Sequence, residues 1–404
     1  MKTLIELFDS CQIENIIAGI KLNPHKIVFV GFDKVMKEKR ISDIKKIFYS
    51  RCPDIVLEFR KVSRYDYEKI YCTLDEIVSE NADCVFDLTG GKELVLAAMG
   101  ELSVVRNIPM VQFNIRTGNL IRVKNSDHIN CIEENGLSIN ECIQMNGGSV
   151  VKNTETDYEW DFNREFKEDV FKMWHICKEN CQEWNIQANM FDLFLKNSFA
   201  TYDGVVKVRL AQLEYNKRLL PVNERIFDEL CKEGLILKYS FDGDNLSFSF
   251  KNQQIKHCLM KAGNILELYT LITAMNICDK DPGFFDDSDV GVYVDWDGII
   301  SDGDEGSDTR NEVDVIFTRG FIPVFISCKN GQVHKEDLYE LYTIGEKFGG
   351  EYSKLCLMCT YISNDIHKKE SIINRAKTMN IDIIDGIDEM NDDEFEALLK
   401  RRMA

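Results

Sequence analysis

The residues of this chain best suited to chemistry lie on two consecutive strand-like runs near its C-terminal end. Charged and apolar residues alternate in the run from Glu312 to Phe317, so Glu312 and Asp314 share one face of a predicted strand. Ser327 and Lys329 share a face of the next run in the same way. If the two runs pair as a hairpin, Asp314, Ser327 and Lys329 converge at one end of it.

These residue types suit the hydrolysis of a phosphodiester with the help of a divalent metal ion. A hard cation such as Mg²⁺ or Mn²⁺ takes oxygen ligands, here the Asp314 carboxylate and the Cys328 backbone carbonyl, and lowers the pKa of a bound water. Lys329 would orient that water or stabilise the charge that develops on phosphorus. From the residues alone, the alternative is an ordinary salt bridge between Asp314 and Lys329 on a solvated strand face.

A second candidate element is Asp87-Leu-Thr-Gly-Gly-Lys-Glu, which joins a buried strand-like run to a helical one. Ligands of α/β folds bind at such carboxyl ends of strands. Gly90 and Gly91 let the backbone approach a ligand, and the helix start offers N–H groups with a positive dipole end. Thr89 adds a hydroxyl and Lys92 a charge. The element therefore favours phosphate binding, with an ordinary tight turn and helix cap as the alternative.

The end of another predicted strand would form the second lip of this site. It comprises Gly31, Phe32 and Asp33. Both strand ends belong to residues 1–145, where apolar runs alternate with helical ones, as in a doubly wound α/β domain. A hairpin at Arg116-Thr-Gly-Asn is expected to end its sheet.

Two further regions follow. Residues 147–160 resemble a linker in composition, and residues 146–255 as a whole predict helices followed by a hairpin, the outline of a winged-helix module or of a spacer. Residues 256–404 carry the order helix, strand, strand, helix around the candidate hairpin.

Charge and composition limit the classes of function. The formal charge of −19 opposes general coating of nucleic acid, so any contact with nucleic acid must be local or assisted by metal. No apolar run reaches the roughly 18 residues of a membrane span, and no membrane partner is expected. Fourteen cysteines without an evident framework favour reduced thiols in a cytoplasm.

The 87–93 element, in this α/β setting, resembles the signature of the CARF domain, the CRISPR-associated Rossmann-like sensor of cyclic oligoadenylates. The resemblance covers residues 1–145. It implies a prokaryotic homodimer in which two copies of Thr89 to Lys92, and of the Gly31 to Asp33 loop, enclose one cyclic ligand. Cyclic tetra-adenylate, a fourfold-repeating ring, suits such a twofold site.

The C-terminal region resembles the PD-(D/E)xK nuclease core. That family often adds a Glu from the first helix to the metal shell, which here points to Glu267. Ser327 departs from the pattern, because a Glu or Asp is usual at its position. Some members with Ser-x-Lys take the missing carboxylate from the following helix, where this chain offers Glu336, Asp337 and Glu340.

The whole chain looks like the CARF-fused ancillary nucleases of type III CRISPR systems. The resemblance implies metal-dependent cleavage of DNA, and often of RNA, that the cyclic nucleotide switches on. Two other functions stay open at this point. One is a ligand-responsive DNA-binding regulator that uses the middle hairpin as a wing. The other is a ring nuclease that degrades its own signal, with Thr89 or Lys92 assisting.

Overall fold

The structure is a computed structural model of the chain. It describes residues 2–133, 136–151, 158–196, 204–212, 214–215, 218–219, 221–261, 263–298 and 310–404. Part of the predicted linker, residues 152–157, lies outside the described residues. The fold is α/β, as the alternation of apolar and amphipathic runs predicts.

The N-terminal region folds around a six-stranded sheet of order β3-β2-β1-β4-β5-β6. Its first five strands are parallel, and β5 and β6 form the predicted antiparallel hairpin. The elements in chain order are β1 (Thr3–Phe8), α1 (Glu14–Leu22), β2 (Lys26–Gly31), α2 (Glu38–Arg51), β3 (Val56–Lys61), α3 (Tyr67–Glu80), β4 (Cys84–Asp87), α4 (Glu93–Arg106), β5 (Met110–Asn114) and β6 (Asn119–Lys124).

Hydrophobic cores cover both faces of this sheet, which is the doubly wound arrangement. The sequence pattern predicts neither α1 nor the central strand, β1. All six of its residues are buried, but Glu6 interrupts the apolar run and conceals it. After the sheet, α5 (Ile139–Met145) leads into β7 (Ser149–Val151). Residues 149–151, predicted as linker, are therefore a strand.

The middle region combines helices with a three-stranded antiparallel sheet of order β11-β12-β8. The predicted sequence of helix and hairpin is confirmed in α8, β11 and β12. Its elements are α6 (Arg164–Glu179), α7 (Cys181–Lys196), β8 (Val205–Arg209), β9 (Glu214–Tyr215), β10 (Arg218–Leu219), α8 (Glu224–Lys232), β11 (Ile236–Phe241), β12 (Asn245–Phe250) and α9 (Gln253–Met260).

The C-terminal region has a mixed six-stranded sheet of order β17-β16-β15-β14-β13-β7. Its edge strand, β7, comes from the segment that the sequence predicts to be a linker. Neighbouring strands among β7, β13, β14 and β15 pair antiparallel, whereas β15, β16 and β17 are parallel to one another. The elements are α10 (Asn264–Lys280), β13 (Asp287–Asp295), β14 (Arg310–Arg319), β15 (Ile322–Gln332), α11 (Lys335–Phe348), β16 (Lys354–Tyr361), α12 (Ile366–Thr378), β17 (Ile381–Asp385) and α13 (Asp392–Met403).

The turn of the β14–β15 hairpin docks onto the N-terminal region. Phe321 and Ile322 are buried in the core that covers one face of the first sheet. The backbone N–H of Leu137 donates to the Gly320 carbonyl at 2.8 Å, and the Gly320 N–H donates to Asp286 Oδ2 at 2.6 Å. The two sheets therefore share a packed junction at the far end of the hairpin from Asp314.

Within the described residues, no helix combines the length and apolarity needed to cross a bilayer.

An ion pair between Arg51 and Glu141 strengthens the junction between α2 and α5. Arg51 Nε and an Nη atom donate to the two carboxylate oxygens of Glu141 at 2.6 and 2.7 Å, and both side chains are less than a fifth exposed. Bidentate pairs of this kind are the stronger class of charged hydrogen bond.

We expect Arg51→Ala to lower the free energy of unfolding by about 2 kcal/mol, because it leaves Glu141 half-buried without its partner. Urea denaturation measures the change. The matched control is Arg164→Ala, which removes an exposed pair with Glu168 and should cost about 0.5 kcal/mol or less. Equal losses in the two variants would show that the α2–α5 pair does not stabilise the junction.

Candidate functional site

The β14–β15 hairpin brings the predicted residues Asp314, Ser327 and Lys329 together. Val315 pairs with Ile326, so Asp314 and Ser327 lie side by side at the next position along the hairpin. All three residues line a cavity of about 540 Å³, here called the hairpin cavity. The convergence predicted from strand alternation is therefore present.

The Asp314 carboxylate is held in one orientation by the second strand. Its Oδ2 atom accepts hydrogen bonds from the Cys328 backbone N–H at 2.7 Å and from the Ser327 hydroxyl at 3.2 Å. The N–H and C=O of one strand residue face the same edge, so the Cys328 carbonyl is directed to the side on which Asp314 lies. Ser327 thus orients the Asp314 carboxylate and does not itself supply a carboxylate.

Glu267 enters the same cavity from α10, a helix that is buried on nearly all sides. Its side chain is 5% exposed. Burial, reinforced by the neighbouring Asp314 carboxylate, raises the pKa of Glu267 to about 8. The raised pKa means that the buried Glu267 carboxyl group favours the arrival of positive charge, either a proton or a cation.

Lys329 supplies positive charge beside Asp314. Its Nζ lies 3.5 Å from Asp314 Oδ2 and 3.9 Å from Asp337 Oδ1. Burial opposes the charged form, but the two carboxylates outweigh it and raise the pKa of Lys329. The ammonium group is therefore fully charged at neutral pH.

The helix α11 presents Asp337 and Glu340 to the cavity, whereas Glu336 does not line it. Glu336 is 70% exposed and lies 3.7 Å from Lys335. Helical periodicity explains the difference, since positions 337, 340, 341 and 344 form one face and position 336 lies on another. Of the three acids that the sequence offers on this helix, Glu336 is thus misplaced for a role in the cavity.

Two residues that sequence reasoning missed also line the hairpin cavity. Lys261 donates a hydrogen bond to Glu312 and lies 4.0 Å from Glu267. Asn185, on α7 of the middle region, exchanges two hydrogen bonds with Asn330, at 2.6 Å to its carbonyl and 3.0 Å from its side-chain amide. No local pattern in the sequence points to either residue, because both come from distant segments.

No three His, Cys, Asp and Glu side chains among the described residues are grouped to hold a metal ion. Two carboxylates, of Asp314 and Glu267, do face one cavity, and burial is the main cause of the raised pKa of Glu267, with the Asp314 carboxylate adding to it. Carboxylate and carbonyl oxygens are the donors that Mg²⁺ and Mn²⁺ prefer. The donor set, with the Cys328 carbonyl as its third member, therefore fits a hard divalent cation.

At the N-terminal region, the residues of the 87–93 loop follow β4 as predicted. Asp87 is buried, and its Oδ1 accepts from the Thr89 hydroxyl at 2.6 Å and the Thr89 N–H at 3.2 Å. The Thr89 oxygen in turn accepts from the Phe113 N–H at 2.8 Å. The expected ligand-binding hydroxyl of Thr89 is thus engaged in shaping the loop.

Glycine is favoured at the two glycine positions of the loop for different structural reasons. Gly91 has a φ of +128°, which L side chains rarely adopt. A Cβ at Gly90 would lie 2.9 Å from Glu14 Oε2, so this position packs closely against α1. Lys92 is exposed and its Nζ lies 3.9 Å from Asp9 Oδ2, and α4 begins after it without a side-chain cap.

The predicted second lip, residues 31–33, is mostly structural. A Cβ at Gly31 would lie 2.8 Å from the Met36 side chain, and Phe32 is buried in the core against α3 and α4. The Phe32 side chain packs inward, so only the backbone of this residue faces the predicted ligand site. Asp33 is exposed, and the Lys61 ammonium at 2.7 Å lowers its pKa.

A pair of buried acids underlies the 87–93 loop. Glu6 of β1 is 2% exposed, and neither of its carboxylate oxygens has a hydrogen-bond partner other than the facing Asp87. Burial and the adjacent Asp87 raise the pKa of Glu6 well above its ordinary value, and burial raises that of Asp87 to about 7. The two carboxyl groups therefore hold at least one proton between them.

The fold of the whole chain is shared with two solved proteins. Protein VC1899 from Vibrio cholerae superposes with a TM-score of 0.74 at 15% identity, covering 100% of this chain and 97% of that one. Can2 from Sulfobacillus thermosulfidooxidans, solved in complex with cyclic tetra-adenylate, superposes with a TM-score of 0.67 at 14% identity, covering 100% and 98%. No family model and no curated protein sequence matches the chain.

The Glu6–Asp87 pair predicts a pH dependence of stability. A carboxyl group whose pKa is raised by folding destabilises the folded state increasingly as pH rises from about 4.3 toward the raised value. We expect Glu6→Gln, which cannot ionise, to gain at least about 1 kcal/mol relative to the wild type between pH 5.5 and pH 8.5. Urea denaturation at both pH values measures this difference.

The control for this prediction is Glu76→Gln on the exposed face of α3. Its stability relative to the wild type should be the same at both pH values. A pH-independent difference for Glu6→Gln as well would mean that Glu6 does not titrate differently in the folded chain.

Proposed function

We propose that this protein is a metal-dependent endonuclease of type III CRISPR antiviral defence that cyclic tetra-adenylate switches on. The nuclease part is carried by one observation, the convergence of Asp314, Glu267 and Lys329 in the hairpin cavity. The sensor part is supported by the fold shared over the full length with Can2, a protein solved with cyclic tetra-adenylate. Nicking of duplex DNA or cutting of single strands, with RNA as a further substrate, is the expected reaction.

Asp314, Glu267 and the Cys328 carbonyl would hold the metal ion, Mg²⁺ or Mn²⁺. When bound, this ion supplies a water of lowered pKa at neutral pH. Ser327 and the Cys328 N–H keep the Asp314 carboxylate oriented toward the cavity. The acid missing at position 327 would be replaced from α11 by Glu340, or by Asp337, which already faces Lys329.

The role of Lys329 follows from its charge and position. Its ammonium group is held by Asp314 and Asp337, so it stays protonated and cannot act as a general base at neutral pH. It instead stabilises the negative charge that develops on the phosphoryl oxygens during cleavage.

We expect Lys329→Ala to lower the rate of cleavage at least about 100-fold, since it removes this stabilisation. The assay follows plasmid DNA and RNA with Mn²⁺ or Mg²⁺, with and without cyclic tetra-adenylate. The matched control is Lys368→Ala, an exposed lysine of α12, which should cleave like the wild type.

Each outcome of this assay separates the proposed function from the others. Ligand-dependent cleavage that Lys329→Ala abolishes supports the nuclease. Consumption of cyclic tetra-adenylate with intact substrates favours a ring nuclease, and ligand-dependent binding of DNA without cleavage favours a regulator. Cleavage that Lys329→Ala leaves unchanged would place the active site elsewhere.

The structure offers a physical route from the 87–93 loop to α11. Glu14, the first residue of α1, packs against Gly90 and accepts a hydrogen bond from the Tyr352 hydroxyl at 2.9 Å. Tyr352 lies four residues beyond the end of α11, the helix that carries Asp337 and Glu340. A ligand that moves the loop would thereby displace the acids of the hairpin cavity. We include this contact in the proposed switch.

We expect Tyr352→Phe to bind cyclic tetra-adenylate as the wild type does but to lose about 5- to 10-fold of the activation, because only the hydrogen bond to Glu14 is removed. Calorimetric binding and the ratio of cleavage rates with and without ligand give the two quantities. Tyr342→Phe, a more exposed tyrosine of α11, is the control. An unchanged ratio in Tyr352→Phe would exclude this contact from the switch.

A further inference from the structure

A second cavity adjoins the hairpin cavity and is not used by the proposed cleavage. Its volume is about 700 Å³, within the range of small-ligand sites. The two cavities share three lining residues, Lys261, Glu267 and Glu312. A chain that occupies the hairpin cavity with one phosphodiester therefore has the second cavity within reach of its next nucleotide.

The walls of this second cavity, here called the aromatic cavity, are rich in rings. Tyr158, Trp160 and Phe162 line it from the segment that precedes α6, and Tyr293 lines it from β13. The ring centroids of Tyr158 and Trp160 are 4.8 Å apart. Phe166 stacks against one face of Trp160 at 5.4 Å, and His257 stacks against one face of Tyr158 at 4.1 Å. Each of these two rings therefore has at most one face left for the cavity.

The charges of the aromatic cavity exclude a phosphate as its occupant. Lys261 is the only cation among the described residues that line it, and it is already bonded to Glu312. Glu159 and Glu267 add further carboxyl groups to the lining. A flat, neutral ring fits such walls, because aromatic side chains stack on bases and the acids repel only the anionic backbone.

We propose that the aromatic cavity binds one unpaired nucleobase of the strand that is cut, adjacent to the scissile phosphodiester. This inference rests on the proposed nuclease function and specifies its substrate. The strand runs with its backbone through the hairpin cavity and one base in the aromatic cavity. Fully paired duplex must lose one base pair locally to enter, so single strands are cut in preference.

Abasic substrates test this subsite. A single-stranded DNA oligonucleotide of one sequence is prepared with an abasic nucleotide at each position beside the cleaved bond in turn. With Mn²⁺ and cyclic tetra-adenylate, the wild type should lose roughly 5- to 100-fold in kcat/KM when one such base is absent. Tyr158→Ala should show the low rate already with the intact strand, and should lose its sensitivity to the abasic position.

A control variant and a second cavity variant show whether an effect of Tyr158→Ala is specific to the aromatic cavity. Tyr49→Ala removes a partly exposed tyrosine of α2 and should retain the full sensitivity to the abasic position. Trp160→Leu repeats the test at a second ring of the cavity. Circular dichroism melting identifies any variant that has lost its fold.

The outcomes distinguish this inference from the proposed function. If the wild type cuts single strands and no abasic position matters, or if Tyr158→Ala and Trp160→Leu keep the sensitivity, the subsite is wrong although the nuclease stands. If the wild type cuts nothing, the proposed function fails. Fluorescence anisotropy of the labelled oligonucleotides then decides the subsite by itself, since equal affinity of wild type and Tyr158→Ala for the intact strand would overturn it.

Discussion

The hydrogen bonds that β15 donates to the Asp314 carboxylate set the geometry on which the rest of the site depends. They join the open end of the β14–β15 hairpin, whereas its turn buries Phe321 and Ile322 in the N-terminal core. One hairpin thus has an acid cavity at one end and the N-terminal region at the other. Because its strands are central in a six-stranded sheet, the hairpin is stiff, and a displacement at one end cannot be absorbed locally.

Both candidate sites contain two neighbouring acids of which at least one is buried, with different consequences. Glu267 and Asp314 face an open cavity, where a cation can neutralise them. Glu6 and Asp87 are enclosed beneath the 87–93 loop, where a proton has to neutralise the negative charge instead of a cation. An anionic ligand of that loop therefore gains nothing from Asp87 itself. Its attraction must come from Lys92 and the uncapped start of α4, while Asp87 holds the loop in shape.

Short-range patterns predict much of this molecule, and long-range packing decides the remainder. Strand alternation suffices to place Asp314 and Lys329 together, because every second residue of a strand lies on the same face. The strand β1 escapes prediction because its buried Glu6 looks like a solvated residue. The orientations of Phe32 and Glu336 also escape prediction, since sequence proximity to a motif does not reveal which way a side chain points. Lys261 comes from a segment whose position only the folded chain defines.

Ser327 illustrates how the local electrostatics restrict the choice of residue. A carboxylate at this position would lie against Asp314, in a cavity where Glu267 already has a raised pKa, and could not donate to the Asp314 oxygen as the hydroxyl does. A third acid there would add repulsion and remove an orienting hydrogen bond. Glu340 and Asp337 reach the cavity from α11 instead, on the side of Lys329, where a positive charge offsets theirs. The serine therefore suits a site whose remaining carboxylate arrives from a helix, and that helix is the element whose end lies next to the N-terminal region.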